Sequence, residues 1–317
     1  MTKIGLTVGK YAPFHKGHQY LIETALNEMD SLIIIVYDAP KHTDIPLNIR
    51  ANWIRKLYPQ VTVIEGWEIP KEEGWSEENQ RKHEDFIKSF IKDISITAFY
   101  SSENYGERMS QSLGCQNRIV DMERNAIHIS ATDIRKDAYG FKTFLDPIVY
   151  SDYITKIYLF GHDKTELSLA LANVYQTTSV VDVEKEYRTI QGKYETLSDS
   201  EYTELASIHI QEFKVKNYEA HRYLFVDSDL IALQVSYKNT HHKNNPTIDS
   251  LIAQNLSNYD LLFISQDEGY VSNELHLMTE LNTLKIPYRI LTGSLESKLL
   301  QIQHILKTFQ KFFSTNY

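Results

Sequence analysis

Two histidines follow the first apolar stretch of the chain, within a segment whose residue types suit phosphate chemistry. The segment covers residues 9–18 and reads GKYAPFHKGH. Gly9, directly after a predicted strand, lets the backbone turn closely against a ligand phosphate, and Gly17 allows close approach where a helix begins. His15 and His18 can then project toward one spot and donate hydrogen bonds to phosphate oxygens. Nucleotidyl transfer depends mainly on such positioning and charge stabilisation and requires no protein nucleophile.

Two simpler interpretations compete for the same histidines. A loop with two solvated histidines needs no ligand, although the complete ten-residue pattern is rare by chance. A metal site is a second alternative, but no cysteine or carboxylate stands at helical ligand spacing beside the pair. We therefore predict no metal ligand among the protein side chains.

A second segment with suitable chemistry covers residues 128–135 and reads HISATDIR. Ser130 and Thr132 are good residues for starting a helix, and the backbone amides at such a start face an anion. Arg135 lies one turn into that helix, where a guanidinium can hold phosphate groups. By itself the segment is an ordinary capped helix. Combined with the histidine segment, it predicts one phosphate-binding site.

A parallel α/β fold is required to position these segments. A short apolar strand, a glycine and a helical pattern occur twice, first at residues 4–29 and again at residues 156–175. Each unit is typical of the start of a parallel-sheet domain, with ligand at the carboxyl end of the strand. We therefore predict two α/β domains, residues 1–153 and 154–317, with the division near residues 151–155. The further predicted strands are residues 31–37, 61–65, 98–101, 223–226, 261–264 and 288–291.

Composition restricts the class of protein. The net charge of −9 and the lack of any Lys/Arg-rich block disfavour a nucleic-acid partner. A single cysteine, Cys115, cannot form an internal disulfide, which is typical of a reducing compartment. No apolar run reaches the ~18 residues that cross a bilayer, and the start lacks a signal-peptide pattern. We expect a globular cytoplasmic protein with no membrane partner. The sequence leaves self-association into a homo-oligomer open.

The two motifs together resemble those of the nicotinamide-mononucleotide and pantetheine-phosphate adenylyltransferase superfamily. Three intervening segments are similar to one branch of it, the NadR-type bifunctional adenylyltransferase and ribosylnicotinamide kinase. They are PLNIRANWI at residues 46–54, FYSSE at 99–103 and VDMER at 120–124. The resemblance runs from about residue 3 to about residue 292 and is closer in the first half. It implies a Rossmann-like HxGH nucleotidyltransferase domain followed by a P-loop-kinase-like domain.

The resemblance also implies roles for individual residues. His15 and His18 contact the phosphates of ATP and stabilise the transition state, and Mg²⁺ is bound through ATP. Trp53 is a candidate to stack on the nicotinamide ring, although a core aromatic on a helix is an equal alternative. Asp38 either touches a ribose or the metal or forms a turn. The other residues implied to bind ATP are Gly9, Lys10, Tyr11, Phe14, Gly17, Ser130, Thr132 and Arg135, and Arg50 joins Asp38 and Trp53 at the mononucleotide.

The implied reaction is transfer of the adenylyl group of ATP to nicotinamide mononucleotide, which yields NAD and pyrophosphate. The motifs alone would equally suit transfer of AMP to pantetheine phosphate or to FMN, or transfer of CMP to a polyol phosphate. Preference for nicotinamide over nicotinate is left open. A non-catalytic nucleotide sensor is a further alternative, disfavoured because both motifs are complete. Some family members begin with a helix-turn-helix domain, whereas here the first strand begins at Lys3, so we expect no DNA-reading segment.

The second half carries a kinase pattern whose centre is altered. A phosphate-binding loop should read GxxxxGK[ST], and this chain reads GHDKTELS from Gly161 to Ser168. Glu166 replaces the second glycine and Leu167 replaces the lysine. A carboxylate beside phosphate oxygens costs several kcal/mol in a partly dry site, on the order of the Coulomb estimate. Lys164 stands three residues early, on the predicted loop.

Other parts of the kinase pattern are partly kept. Asp227 and Asp229, in LFVDSDL, are candidates to serve Mg²⁺ or the sugar, and DEGYV at residues 267–271 resembles the lid motif without its arginine. We predict a kinase fold without kinase chemistry, because two cations that compensate charge in phosphoryl transfer are replaced. It can bury surface of the first domain, mediate self-association or bind a regulatory nucleotide. The alternative is a bifunctional enzyme that also phosphorylates ribosylnicotinamide.

Overall fold

The chain folds into two compact α/β units. The computed structural model describes residues 2–68, 70, 76–192, 195–266 and 272–312. The first unit runs to Tyr150 and the second from Ser151 to Lys311, against a predicted division after residue 153. Each unit contains a five-stranded parallel sheet, so the predicted fold class is confirmed. Within the described ranges, no helix combines the length and apolar character needed to cross a membrane.

The sheet of the first unit has the strand order β3-β2-β1-β4-β5. The strand order reverses at β1, which pairs with β2 on one side and β4 on the other. Ligands of open parallel sheets bind at such a reversal, beyond the carboxyl ends of the strands. The elements are β1 Ile4–Gly9, α1 Lys16–Glu28, β2 Ser31–Tyr37, α2 Leu47–Leu57, β3 Thr62–Gly66, α3 Glu77–Ser89, β4 Ala98–Ser101, α4 Tyr105–Leu113, β5 Gln116–Ile119, α5 Ala131–Lys136 and α6 Pro147–Tyr153.

Strand β2 shows why the apolar runs form the centre of this sheet. All of its residues from Leu32 to Val36 are buried. A strand covered by helices on both faces needs apolar residues at successive positions, because neighbouring side chains point to opposite faces. Ile33 and Ile35 pack in one cluster with residues of β1 and β4, including Leu6 and Phe99. The core therefore holds the ends of β1 and β4 in fixed positions.

The second unit has the strand order β10-β9-β6-β8-β7. Its first strand, β6, is again central and pairs with β8 and β9. The elements are β6 Thr155–Gly161, α7 Lys164–Val174, β7 Thr178–Val180, α8 Val183–Gln191, α9 Asp199–Glu219, β8 Tyr223–Asp227, α10 Leu230–His241, α11 Pro246–Asn255, β9 Leu261–Ser265, α12 Ser272–Thr283, β10 Arg289–Leu291 and α13 Leu295–Thr308.

Candidate functional site

The two histidines cap the start of helix α1 with their ring nitrogens. The backbone N–H of Gly17 donates to Nδ1 of His15 at 3.1 Å, and the backbone N–H of His15 donates to Nδ1 of His18 at 3.3 Å. Since Nδ1 of each ring accepts a hydrogen bond, the proton of each neutral ring lies on Nε2. Both histidines therefore keep an Nε2–H donor available beyond the helix start.

Close packing holds the two imidazole rings. Their centroids are 3.8 Å apart with planes inclined by 28°, and Phe14, fully buried, stacks on His18 at 5.8 Å. A Cβ atom on Gly17 would lie 2.9 Å from Cε1 of His15, closer than carbon atoms approach in proteins. The ring of His15 can therefore keep this position only while residue 17 is a glycine. Phe14, predicted to bind ATP, lies beneath the histidines.

The histidines are neutral at physiological pH. Desolvation lowers the pKa of His15 to about 4, and the charges of Arg124 and Arg135 lower it further. Desolvation also holds the pKa of His18 well below its usual value, with contributions from His15 and Arg124. Positive charge at the site therefore comes from Lys10, Arg124 and Arg135, and the histidines contribute directed N–H donors.

Helix α5 brings the second predicted segment to the first. Ser130 caps this helix by accepting a hydrogen bond from the backbone N–H of Asp133 at 3.1 Å. Arg135 donates to the carbonyl oxygen of Ala12 at 2.6 Å and to Oγ1 of Thr132 at 2.9 Å. The first of these bonds ties α5 to the connection between β1 and α1. The two sequence motifs thus form one site.

An open cavity of about 260 Å³ lies at the carboxyl ends of β1, β2, β4 and β5. Of the predicted ATP-site residues, Phe14 alone does not line it. Glu103, Asp121 and Arg124 line it as well, although sequence reasoning assigned them no role. The one feature of the sequence that pointed to these three residues was their place in the FYSSE and VDMER segments. The predicted residues that line the cavity are Gly9, Lys10, Tyr11, His15, Gly17, His18, Ser130, Thr132 and Arg135.

The three residues predicted to bind the mononucleotide are not among those that line this cavity. Among the described residues that line the cavity, none is Asp38, Arg50 or Trp53. The fully buried guanidinium of Arg50 donates to the carbonyl oxygens of Ile45 and Tyr37, each at 3.0 Å, and to that of Lys10. It also lies 3.4 Å from Oδ1 of Asp38. Arg50 therefore supports the backbone at the cavity's edge, and Trp53, 1% exposed, lies in the core.

In the second unit, the connection after the central strand is a tight turn. It consists of His162 and Asp163, because α7 begins at Lys164. Gly161 has φ +83°, and a Cβ atom there would lie 2.2 Å from the carbonyl oxygen of Ser265. Glycine is therefore required at this position by close contact with strand β9.

The lysine of this turn is enclosed by carboxylates. Nζ of Lys164 lies 2.5 Å from Oδ2 of Asp182 and 2.8 Å from Oδ1 of Asp227. Although burial acts in the opposite direction, the two carboxylates raise the pKa of Lys164. Lys164 is thus a permanent cation whose charge is compensated inside the protein, and Asp227, a predicted Mg²⁺ or sugar residue, is one of its partners.

The remaining kinase-site residues are built into the structure of the second unit. Leu167, fully buried, packs in a core cluster with residues of β6 and β8, and Ser168 is 1% exposed. Asp229 caps α10 by accepting from the backbone N–H groups of Ile231 and Ala232 at 2.9 and 3.1 Å. Burial raises the pKa of Asp229 to about 6. The predicted lid motif at residues 267–271 lies outside the described residues.

Comparison with known families finds a similarity in the first unit. Residues 6–137 match the sequence model of the cytidylyltransferase-like family. Every residue that lines the 260 Å³ cavity falls inside this range, and so do both sequence motifs. The site described above therefore lies within the residues that resemble this family.

Relatives extend the similarity beyond the cytidylyltransferase-like domain. The trifunctional NAD biosynthesis/regulator protein NadR of Salmonella typhimurium is 25% identical, covering 95% of this chain and 78% of that protein. The phosphopantetheine adenylyltransferase of Fusobacterium nucleatum is 28% identical and covers 47% of this chain and 83% of that protein. The chain is thus similar to NadR through both units and to the second enzyme over less than half its length.

Solved structures show the same two-unit fold. A crystal structure of NadR protein in complex with NAD and AMP-PNP aligns with a TM-score of 0.54 at 18% identity, covering 97% of this chain and 96% of that one. A crystal structure of NadR protein in complex with NR aligns with a TM-score of 0.55 at 20% identity, covering 100% and 99%. The fold that follows the cytidylyltransferase-like domain is therefore also shared with NadR proteins.

Proposed function

We propose that the first unit transfers the adenylyl group of ATP to nicotinamide mononucleotide, which yields NAD and pyrophosphate. The observation that carries this proposal is the pair of neutral histidines whose Nε2–H groups remain available at the cavity beside Arg124 and Arg135. Donors fixed before the substrate arrives stabilise developing charge without reorganisation. A cavity of about 260 Å³ is open enough to admit part of a nucleotide from solvent.

The proposed chemistry needs no group of the protein to bond covalently to the substrate. A phosphate oxygen of the mononucleotide attacks the α-phosphorus of ATP, and the bond from this phosphorus to the bridging oxygen breaks. Pyrophosphate leaves with the electron pair, and the attacking phosphate is already ionised at neutral pH. The Nε2–H groups of His15 and His18 would donate to phosphate oxygens as charge moves to the leaving group.

Any metal in this reaction is proposed to enter with the nucleotide. Within the described parts of the chain, no three His, Cys, Asp or Glu side chains form a group that could hold a metal ion. Mg²⁺ bound through the triphosphate would neutralise part of its charge and orient it. The protein residues would then hold the phosphate oxygens that Mg²⁺ leaves uncovered.

The choice of acceptor is supported by the extent of the similarities. NadR of Salmonella typhimurium aligns through both units, whereas the phosphopantetheine adenylyltransferase aligns over 47% of this chain. A NadR protein has also been crystallised with NAD and with NR, at a level of identity that shows only a shared fold. These observations favour a pyridine mononucleotide over pantetheine phosphate.

The test is NAD formation by the purified protein with ATP, Mg²⁺ and nicotinamide mononucleotide. We expect NAD from the wild type and a fall of about 10² to 10³-fold in His18→Ala, because a preorganised donor is lost. His304→Ala, at an exposed histidine of α13, is the matched control and should retain the wild-type rate. Folded wild type that forms no NAD would contradict the proposal, and pantetheine phosphate and FMN would then be tried as acceptors.

We further propose that the second unit does not transfer phosphoryl groups. Three observations support this: the turn after β6 is short, Leu167 is in the core, and Lys164 is paired with Asp182 and Asp227. The test is incubation with ribosylnicotinamide and ATP, with nicotinamide mononucleotide measured as product. Phosphorylation by the unmodified protein would contradict this part of the proposal and establish a bifunctional enzyme.

A further inference from the structure

The loop between β5 and α5 is organised by one carboxylate. Oδ1 of Asp121 accepts a hydrogen bond from the backbone N–H of Ala126 at 2.9 Å, and Oδ2 accepts from that of Ile127 at 3.0 Å. The backbone N–H of Arg124 donates to the carbonyl oxygen of Asp121 at 2.9 Å. Asp121 therefore accepts hydrogen bonds from Arg124 itself and from two residues that follow Arg124 in the loop.

The loop places Arg124 in an uncommon backbone conformation. Asp121 has φ +51° and Arg124 has φ +53°, in the left-handed region that side-chain-bearing residues avoid. Such conformations persist where the surroundings impose them, and they concentrate at binding sites. Asp121 and Arg124 both line the cavity of the first unit. The side chain of Ile127, on the same loop, lies 3.9 Å from the position of a Cβ atom on Gly17, at the start of α1.

The two arginines of the cavity differ in how their donors are used. Arg135 already donates to Ala12 and Thr132. Arg124 is exposed, and among the described residues its guanidinium forms no ion pair and no side-chain hydrogen bond. Its charge nevertheless reaches both His15 and His18, because it contributes to the lowered pKa of each. It also reaches Asp133, whose pKa is lowered by the hydrogen bond from Ser130 and by the charges of Lys136 and Arg124. Arg124 is thus a cation beside the histidines and Asp133 that is not paired with a protein group at bonding distance.

We propose that Arg124 binds the phosphate groups of ATP directly and that Asp121 is the residue that positions it. This inference rests on the proposed adenylyl transfer for its biological meaning, but it concerns nucleotide binding alone. A guanidinium can bind two phosphate oxygens through two parallel N–H groups held in one plane, a geometry that neither a histidine nor a lysine provides. Arg135 would support the loop around the ATP site, and Arg124 would supply the donors that the ligand meets.

The first test is calorimetric measurement of the Kd for ATP with Mg²⁺ and without any acceptor. We expect Arg124→Ala to weaken binding about 10 to 100-fold, the usual effect of a charged hydrogen-bond donor. Arg124→Lys should recover part of the affinity because it keeps the charge and loses the paired donors. Arg81→Ala, which removes an exposed arginine side chain of α3 that is paired only with Glu77, is the matched control and should leave the Kd unchanged.

The second test asks whether Asp121 acts through Arg124. Asp121→Asn exchanges one acceptor oxygen for an amide donor, so one loop bond is lost and ATP binding should weaken about 3 to 10-fold. In an Arg124→Ala background the same change should have no effect on the Kd, because the positioned group is absent. If Asp121 had only a structural role, Asp121→Asn would weaken ATP binding equally in the wild type and in the Arg124→Ala background. That result would overturn the proposal that Asp121 positions Arg124.

The outcomes separate this inference from the proposed reaction. ATP binding that is unchanged in Arg124→Ala overturns the inference, whether or not NAD forms. ATP binding that weakens as expected in a protein that forms no NAD supports the role of Arg124 and moves the search to another acceptor. Wild type that binds no ATP overturns both proposals together.

Discussion

The connections after the two central strands differ although their sequences begin alike. Strand β1 and strand β6 each end in a glycine at the centre of a five-stranded parallel sheet, and a helix follows each. In the first unit the connection covers residues 10–15 and borders a cavity of about 260 Å³. In the second it is His162 and Asp163, and a nearby cavity lined by Asp182, His209 and Asp229 has about 10 Å³, room for one water.

The two units also differ in the charged groups that surround these connections. In the first unit, arginines border the cavity and the histidines are neutral donors. In the second, Asp182 and Asp227 lie against Lys164 and leave its charge compensated. A strand, a glycine and a helix therefore lead to different surroundings in the two units. The two connections differ in their length and in the charged groups that lie beside them.

Restoring the motif lysine should have the largest effect, and it should be unfavourable. Leu167→Lys places a charge among the core side chains of β6 and β8, so we expect a loss of about 3–5 kcal/mol of stability, measured by urea unfolding. Leu169→Lys on the same helix, at a side chain that is 56% exposed, should change stability by less than about 0.5 kcal/mol. A stable Leu167→Lys variant that binds one more ATP per chain than the wild type would show that the second connection can open.

The second prediction compares two glycines of the second unit. Gly161→Ala brings Cβ to 2.2 Å from a backbone oxygen in addition to its φ of +83°, so we expect a loss of about 3 kcal/mol or more. Gly192→Ala has φ +61° and no atom within 4 Å, so its cost should be about 1 kcal/mol. Thermal unfolding of both variants is the measurement, and equal losses would refute the tight-turn explanation.

The third prediction concerns acid pH and involves a histidine in each unit. Burial lowers the pKa of His209 to about 4, as desolvation does for His15. Below pH ~6.5 the unfolded chain binds these protons and the folded chain does not, so stability falls as pH falls toward 4. Each group contributes up to about 3 kcal/mol over this window. His209→Gln should flatten the pH dependence in the second unit, and an unchanged slope would contradict the buried neutral ring.

The smallest expected effect tests the packing of the histidine pair. Gly17→Ala adds a Cβ atom 2.9 Å from Cε1 of His15, so the ring must shift. We expect adenylyl transfer to fall about 10 to 100-fold, since a displacement of a reacting group by about 1 Å has effects of this size. Stability should change by less than about 1 kcal/mol, because the ring is the end of a side chain. An unaltered rate would mean that the ring position is unimportant.

An apolar run in the sequence predicted most of the strands, and strands without such a run were missed. Strands β2 and β4 have the predicted bounds because their residues are almost all apolar or aromatic. Two strands were not predicted: β5, with the sequence QNRI, and β7, with TSV. Both are short edge strands without an apolar run, and they form because β4 and β8 offer unpaired backbone groups. Their existence depends on the neighbouring strand more than on their own residues.

The candidate site also has features that the sequence predicted and features that it did not. The joining of residues 9–18 and 128–135 was predicted, and both line the same cavity. The roles of Asp38, Arg50 and Trp53 rested on resemblance. In the structure, Arg50 and its neighbour Asp38 lie behind the backbone at the edge of the cavity, and Trp53 lies in the core. Arg124 had no assigned role because its place at the cavity depends on the loop bonds of Asp121. The VDMER segment of the family resemblance was its one signal in the sequence, and that signal gave Arg124 no role.

Local sequence alone determines the capping of α1 by its histidines. Residues 15, 17 and 18 are within one helical turn, so their hydrogen bonds follow from spacing and the glycine. The tertiary structure decides which cations remain available to a ligand. Arg135 meets Ala12 and Lys164 meets Asp227 across 123 and 63 residues of sequence. Contacts of this kind depend on how the strands are ordered, and the order is set by packing of the whole sheet.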